Sequence, residues 1–303
     1  MRNAFAEEII RLILKDKRII LLMGDTGAGL FDELFEKVPE QIINTGIAEA
    51  NMVTISAGLA KSGYIPFVYS IGAHLVYRAY EQIRNDICLN NANVKLVSVG
   101  SGLHYADHGP THHALEDFAV MKSLPNIKII SPSGKFESKL FTKLALETPG
   151  PIYIRLGRGK DTINDYNPVI GKGVKITDGS DITIITTGSF VYDVYNLIEY
   201  FSEINISVSL ININTIKPLD DIIIKEAAKE TKSILVIEEH QEIGGLAESV
   251  SSVLVKNGLN IKFDQIGIKD NFCSYIGSYE GIKENYGLSK KAIITKVQNL
   301  INS

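Results

Sequence analysis

Cysteine is scarce in this 303-residue chain: Cys88 and Cys273 are its only two, far apart and each in an apolar stretch. That fits reduced core thiols of an intracellular protein better than a disulfide framework. There is no basic excess either. Thirty-one Lys and Arg face 35 Asp and Glu, a net charge of −4, so no surplus of cations is left for a phosphate backbone and nucleic acid is not an expected partner. No apolar run approaches the ~18 residues that a membrane span needs. The opening MRNAFAEEIIRLILK is amphipathic with acids inside it, not the basic-then-apolar order of a signal peptide. A cytoplasmic protein without a membrane segment is the expectation. Familiar site motifs are missing as well. The glycines of GDTGAG, Gly24 to Gly29, have the wrong spacing for a dinucleotide fingerprint, and no G-x-x-x-x-G-K-[ST] occurs. Without a G-x-S-x-G elbow or a His beside either cysteine, nucleophilic hydrolysis has little support.

What is present is the composition of a globular protein, 45% hydrophobic and 22% charged, long enough for two domains at roughly 150 residues each. Short apolar runs alternate with helical spacing: RIILLMG, QIINTG, YIPFVYS, VKLVSVG, IKIISPS and PIYIRLG are separated by helices, among them NMVTISAGLAKSG and one around YRAYEQIRNDICLNN. Such alternation predicts parallel pairing and a doubly wound α/β sheet, with ligands at the carboxyl ends of its strands. Residues 161–180 are polar and rich in Gly, Asn and Asp, which predicts a linker or a pair of short edge strands. Beyond it ITIITTGS, ISVSLININTI, SILVIEEH and IKFDQIGI alternate with four further helices. The expected organisation is therefore a first α/β domain over 1–160, a linker over 161–180 and a smaller α/β domain over 181–303.

Within this frame a few residues stand out. Glu49, in GIAEANM, is the only charge between Glu40 and Lys61, whereas a surface helix normally shows charge along one side. Without more, it reads as a buried acid held by backbone donors at a helix start. The loop LHYADHGPTHH gathers His104, Asp107, His108, His112 and His113. The step from His108 to His112 has metal-ligand spacing, but Pro110 between them breaks the helix that would place both on one face, so no metal site is expected. A loop fixed by Gly109 and Pro110 is nonetheless where a rigid scaffold presents binding groups. Arg155 and Arg158, in IRLGRG, lie at a strand's carboxyl end. Arg2, beside the first helix, is an ordinary surface charge on its own evidence.

Taken together, GIAEANM, HGPTHHALEDFAVMKSLPNIKIISPS and PGPIYIRLGRG resemble, in order and spacing, the pyrimidine-binding domain of the transketolase group of thiamine-diphosphate enzymes. VIEEHQEIGGLAESV and YGLSKKAIITKV are similar to that group's C-terminal domain, so the resemblance covers nearly the whole chain. The group's other domain, which holds the diphosphate and Mg2+ through a Gly-Asp-Gly motif, has no counterpart. The resemblance implies the small subunit of a split transketolase. It would transfer a two-carbon ketol unit from a ketose phosphate to an aldose, be active only with an N-terminal, diphosphate-binding subunit, and form a homodimer inside an α2β2 heterotetramer. In that family the acid matching Glu49 bonds a ring nitrogen of the aminopyrimidine and promotes removal of the thiazolium proton; a lone acid among Ala, Asn and Met suits that task.

Other roles follow by the same resemblance. His112 matches a histidine that faces sugar oxygens, Arg158 and Arg2 match arginines that grip the sugar phosphate, and Asp25 aligns with an aspartate close to the cofactor. Two positions depart from the pattern. His108 stands where an Asp usually reads a sugar hydroxyl, which puts an unusual donor or acceptor in view. Where an aromatic ring normally stacks on the pyrimidine, alignment through SIGAHLVYRAYEQI gives Leu75, with His74 beside it and Tyr77 two positions on. Rival readings are a deoxyxylulose-phosphate synthase-like chain, a 2-oxoacid dehydrogenase beta-like chain, and a non-catalytic assembly partner.

Overall fold

In the computed structural model, residues 1–163 and 165–302 are described. Twelve strands form two mainly parallel sheets among these residues. The first unit supplies β1 (Ile19–Met23), β2 (Ile42–Asn44), β3 (Ile65–Ile71), β4 (Lys95–Val99), β5 (Lys128–Ile130) and β6 (Ile152–Leu156). The second supplies β7 (Val174–Thr177), β8 (Ile182–Thr186), β9 (Val208–Asn212), β10 (Thr215–Lys217), β11 (Ser233–Gln241) and β12 (Lys262–Ile268). The larger sheet runs β10-β5-β6-β4-β3-β1-β2 and the smaller β12-β11-β8-β9-β7; only β10 and β7 are antiparallel.

The continuous apolar reading of the strands has a simple cause. Every residue of β1, β4, β6 and β8 is buried, and the period of two sends neighbours to opposite faces. Ile20 and Leu22 enter one core while Ile19, Leu21 and Met23 enter another. The second core is covered by helices Arg2–Ile13, which contributes Phe5, Ile9 and Ile13, and Lys135–Glu147, which contributes Phe141. The first core continues into the second unit, where Ile185, Ile211 and Ile234 join Leu96 and Phe118.

Several expectations are corrected in detail. ISVSLININTI is two strands, β9 in the smaller sheet and β10 on the edge of the larger one, because the chain crosses between units at Ile213–Asn214. The second unit thus completes the first unit's sheet. The stretch 161–180 contains the edge strand β7. The helix over VYDVYNLIEYF is two short ones, Phe190–Tyr195 and Ile198–Glu203, and helices Asp32–Lys37 and Tyr279–Asn285 were not expected. No helix among the described residues is long and apolar enough to cross a membrane. The carboxyl ends of β1, β2, β3, β4 and β6 open on one side of the sheet, and the segments leaving them carry the candidate residues other than Arg2.

Candidate active site

Glu49 is the first residue of helix Glu49–Lys61 and is only 3% exposed. A carboxylate in the first turn is favoured by the helix's positive end. Ser70, at the end of β3, donates to Oε1 at 3.4 Å, and Arg78 donates to Oε2 at 3.1 Å. Gly24, where β1 turns, lies so near that a Cβ on it would come within 3.7 Å of Oε1. The long Ser70 bond leaves Oε1 with capacity for one more partner, which is what a group that must bond a ring nitrogen requires. Thr26, in the same turn, has a buried hydroxyl without a partner. The residues present therefore fit an aminopyrimidine. Asp25, with φ 52°, is exposed, its N–H donating to Asn44 at 3.2 Å. Among the described residues no three of His, Cys, Asp and Glu converge as a metal-ligand set.

After β3 the chain enters a wide turn with i→i+5 bonding, His74–Arg78, a geometry that recurs at functional sites. It sends the three ring candidates in different directions. Leu75, the aligned position, is fully buried in the first core and has no surface to offer a ring. Tyr77 turns away, its hydroxyl donating to Glu116 at 2.6 Å beside a cavity between the units lined also by Phe272 and Cys273. Of the three, His74 faces the acid, with Nδ1 4.0 Å from Glu49 Oε1. Burial, then the charges of Arg78 and His112, lower the His74 pKa, with Glu49 pulling the other way.

From His74 the rings continue in file. His74 and His112 have centroids 5.1 Å apart, His112 and His108 5.1 Å, His108 and Tyr105 5.3 Å, and Tyr105 and His104 5.1 Å. His108 is exposed and paired with Asp107 at 2.9 Å. His113, by contrast, is buried and faces inward. His104 lies at the edge of a cleft of about 620 Å³ whose rim carries Arg2, Arg158, Lys135 and Lys139, with Glu7 paired to Lys139 at 2.7 Å. Burial first, then Arg158 and Arg2, push the His104 pKa down to about 4, so this imidazole is neutral near pH 7. The arrangement offers, in sequence, an acid, ring donors and acceptors, and guanidinium groups suited to a dianion.

The two arginines of IRLGRG separate. Arg158 is exposed at the cleft, its guanidinium 5.1 Å over the Tyr279 ring. Arg155 is buried instead of ligand-facing: its Nε donates to Asp117 at 2.7 Å, and Nη2 donates to the carbonyls of Ala114 at 3.1 Å and Glu239 at 2.9 Å. Sequence reasoning missed Arg78, Tyr105, Lys135 and Glu239. Only the paired acids of VIEEH, in an otherwise apolar strand, could have signalled Glu239.

Comparison with known proteins adds three findings. Residues 1–161 match the family "Transketolase, pyrimidine binding domain" and residues 171–293 match "Transketolase, C-terminal domain". Among curated proteins, the chain is 35% identical to a putative transketolase C-terminal section of Methanocaldococcus jannaschii, covering 98% of this chain and 95% of that one. It is also 35% identical to one of the subunits of the apulose-4-phosphate transketolase of Phocaeicola vulgatus (96% and 94%). A 1-deoxy-D-xylulose-5-phosphate synthase of Clostridium tetani is 32% identical over 99% of this chain but only 48% of its own length. Among solved structures, one described as a split-gene transketolase in an inactive beta4 tetramer has a TM-score of 0.88 at 30% identity, covering 99% of this chain and 97% of that one.

Proposed function

The chain belongs to the transketolase family as the small subunit of a two-chain enzyme, and we propose that Glu49, the file of histidines and the basic cleft form this subunit's share of a ketol-transfer site. The observation that carries this reading is the continuity of the site: a secluded acid at one end, guanidinium groups at the other, and imidazoles between them. Thiamine diphosphate, when bound, supplies an acidic carbon that can attack a carbonyl and carry a two-carbon unit. Glu49 holds a proton at the ring nitrogen of its aminopyrimidine, oriented by Ser70 and Arg78. His74 presents its ring to that pyrimidine in place of the usual aromatic residue, and Asp25 lines the β1 side of the pocket.

His112 and His108 donate hydrogen bonds to the sugar oxygens, and Arg158 and Arg2 grip the terminal phosphate of a sugar phosphate. His104, neutral and half-shielded, offers an N–H to the same anion without adding charge. In this reading a separate N-terminal subunit holds the diphosphate and Mg2+, and two copies of each chain assemble as α2β2. The inactive tetramer of the structural relative supports the need for a second chain. Unpaired, buried Cys88 and Cys273 support a reducing, cytoplasmic setting.

The test is reconstitution. The chain is mixed with the diphosphate-binding subunit, thiamine diphosphate and Mg2+, and two-carbon transfer from fructose 6-phosphate to an aldose phosphate is followed. Transfer by the pair, absent from either chain alone, is expected. Consumption of pyruvate with glyceraldehyde 3-phosphate and no ketol transfer would assign the synthase reaction instead. A stable, cofactor-loaded pair inert toward every ketose would assign an assembly role.

A further inference from the structure

The loop that carries His104, His108 and His112 leaves β4 and returns to the first unit, yet the second unit also grips its base. The loop closes on a two-residue ladder, Gly102 N–H to the Ala114 carbonyl at 3.0 Å and Ala114 N–H to the Gly102 carbonyl at 3.1 Å. Into this base reaches Glu239 from the end of β11. Its Oε1 accepts from the Leu103 N–H at 2.8 Å, one residue before His104, and its Oε2 accepts from Ser189. Gly102 is the residue that lets it pass: φ is +65°, and a Cβ there would lie 2.7 Å from the Glu239 carboxyl carbon. The next two residues of β11 continue the grip. His240 Nε2 accepts from the Ala119 N–H at 3.3 Å, and the Gln241 N–H donates to the Leu115 carbonyl at 2.8 Å.

The same carboxylate reaches the phosphate end of the site. Tyr279 has its hydroxyl buried beside Glu239 and Ser189, and its ring carries the Arg158 guanidinium at 5.1 Å. One buried acid of the second unit thus stands behind both the sugar-facing loop and the phosphate-facing arginine. Resting on the function proposed above, we infer that Glu239 is a positioning residue for the phosphorylated sugar, and that the second α/β unit serves catalysis by holding the substrate half of the site in register with Glu49. It lies behind the loop and touches no reacting atom. Its hydrogen bonds go to Leu103 and Ser189, whereas those of Glu49 go to Ser70 and Arg78, so cofactor binding does not depend on it.

The experiment uses the reconstituted two-chain enzyme with fructose 6-phosphate as probe, comparing wild type, Glu239→Ala and Glu239→Gln. Removing the acceptor leaves the Leu103 N–H unpaired in a buried place, and the KM for fructose 6-phosphate is expected to rise at least about tenfold. The affinity for thiamine diphosphate should stay within about twofold. Gln keeps an acceptor for Leu103 and should restore KM to within about threefold of wild type. Should Glu239→Ala fail to fold, Tyr279→Leu withdraws the ring under Arg158 and is expected to raise the same KM. An unchanged KM in the folded variant would overturn the inference, and so would loss of cofactor affinity in parallel with KM, which marks a merely structural acid. A wild-type pair that transfers no ketol unit would instead defeat the functional reading on which the inference rests.

Discussion

Glu49→Gln isolates the chemistry of the site from its architecture. The replacement has nearly the same shape and keeps one acceptor, but it cannot exchange a proton with the pyrimidine nitrogen. A positioned acid or base contributes roughly 10²–10⁴-fold, which is about 2.7–5.4 kcal/mol of barrier at ~1.36 kcal/mol per tenfold. Stability should hardly move. The ion pair with Arg78 spans 3.1 Å, but Arg78 is 50% exposed, so solvent screening limits the pair to about 1 kcal/mol or less. For a chain of this size that corresponds to at most about 2–4 °C in melting temperature. The assay is turnover of the reconstituted pair with fructose 6-phosphate, alongside thermal unfolding of the same preparation. The expected result is turnover reduced at least about a hundredfold with cofactor still bound. Turnover within tenfold of wild type would refute the proton role, and a melting temperature lowered much further would mark Glu49 as a structural acid.

Arg158→Ala and Arg2→Ala should each raise the KM for fructose 6-phosphate about 10–100-fold with little loss of kcat, since a hydrogen bond to a charged group is worth about 1.5–3 kcal/mol; steady-state kinetics with phosphorylated and phosphate-free donors checks this. Arg155→Met should destabilise the chain by about 3–5 kcal/mol in urea unfolding, because Asp117, fully buried at 2.7 Å, would keep an uncompensated charge. Glu238 predicts a pH effect. Burial, only partly offset by the N–H groups of Ala247 and Leu246, raises its pKa to about 7. The folded state therefore binds this proton more tightly than the unfolded one, and the stabilisation is full below the ordinary value of 4.5 and lost as pH rises through about 7. Urea midpoints at pH 5 and pH 8 should show Glu238→Gln gaining on wild type at the higher pH, and a constant gap would contradict the assignment.

Much of the fold was legible because parallel strands buried on both faces cannot hide. RIILLM has nothing polar beyond its opening Arg18, PIYIRLG carries a single charge, Arg155, and β1 and β6 occupy them. The seclusion of Glu49 was legible for the complementary reason: a charge alone between Glu40 and Lys61 belongs to no charged face, and the residue is buried. The ring beside it was not. Leu75 and His74 are neighbours in sequence, and which one faces the acid depends on the winding of the turn His74–Arg78, where i→i+5 bonding rotates each side chain away from its α-helical direction. Arg155 and Arg158 posed the same difficulty, since both stand at the carboxyl end of β6, one inside it and one just beyond, and the partner Asp117 holds the first of them inward.

Local sequence by itself determined the alternation of strands and helices, the two α/β layers and the seclusion of Glu49, because burial on both faces and isolation of a charge are properties of neighbours along the chain. The tertiary structure alone decided that β10 crosses to the other unit's sheet, that Arg155 is a strut while Arg158 meets solvent, and that Glu239 stands behind a loop 136 positions away. Those outcomes turn on desolvation and hydrogen-bond pairing between distant segments. Whether a buried charge is tolerated depends on the partner the fold brings to it, and no periodicity along the chain records that.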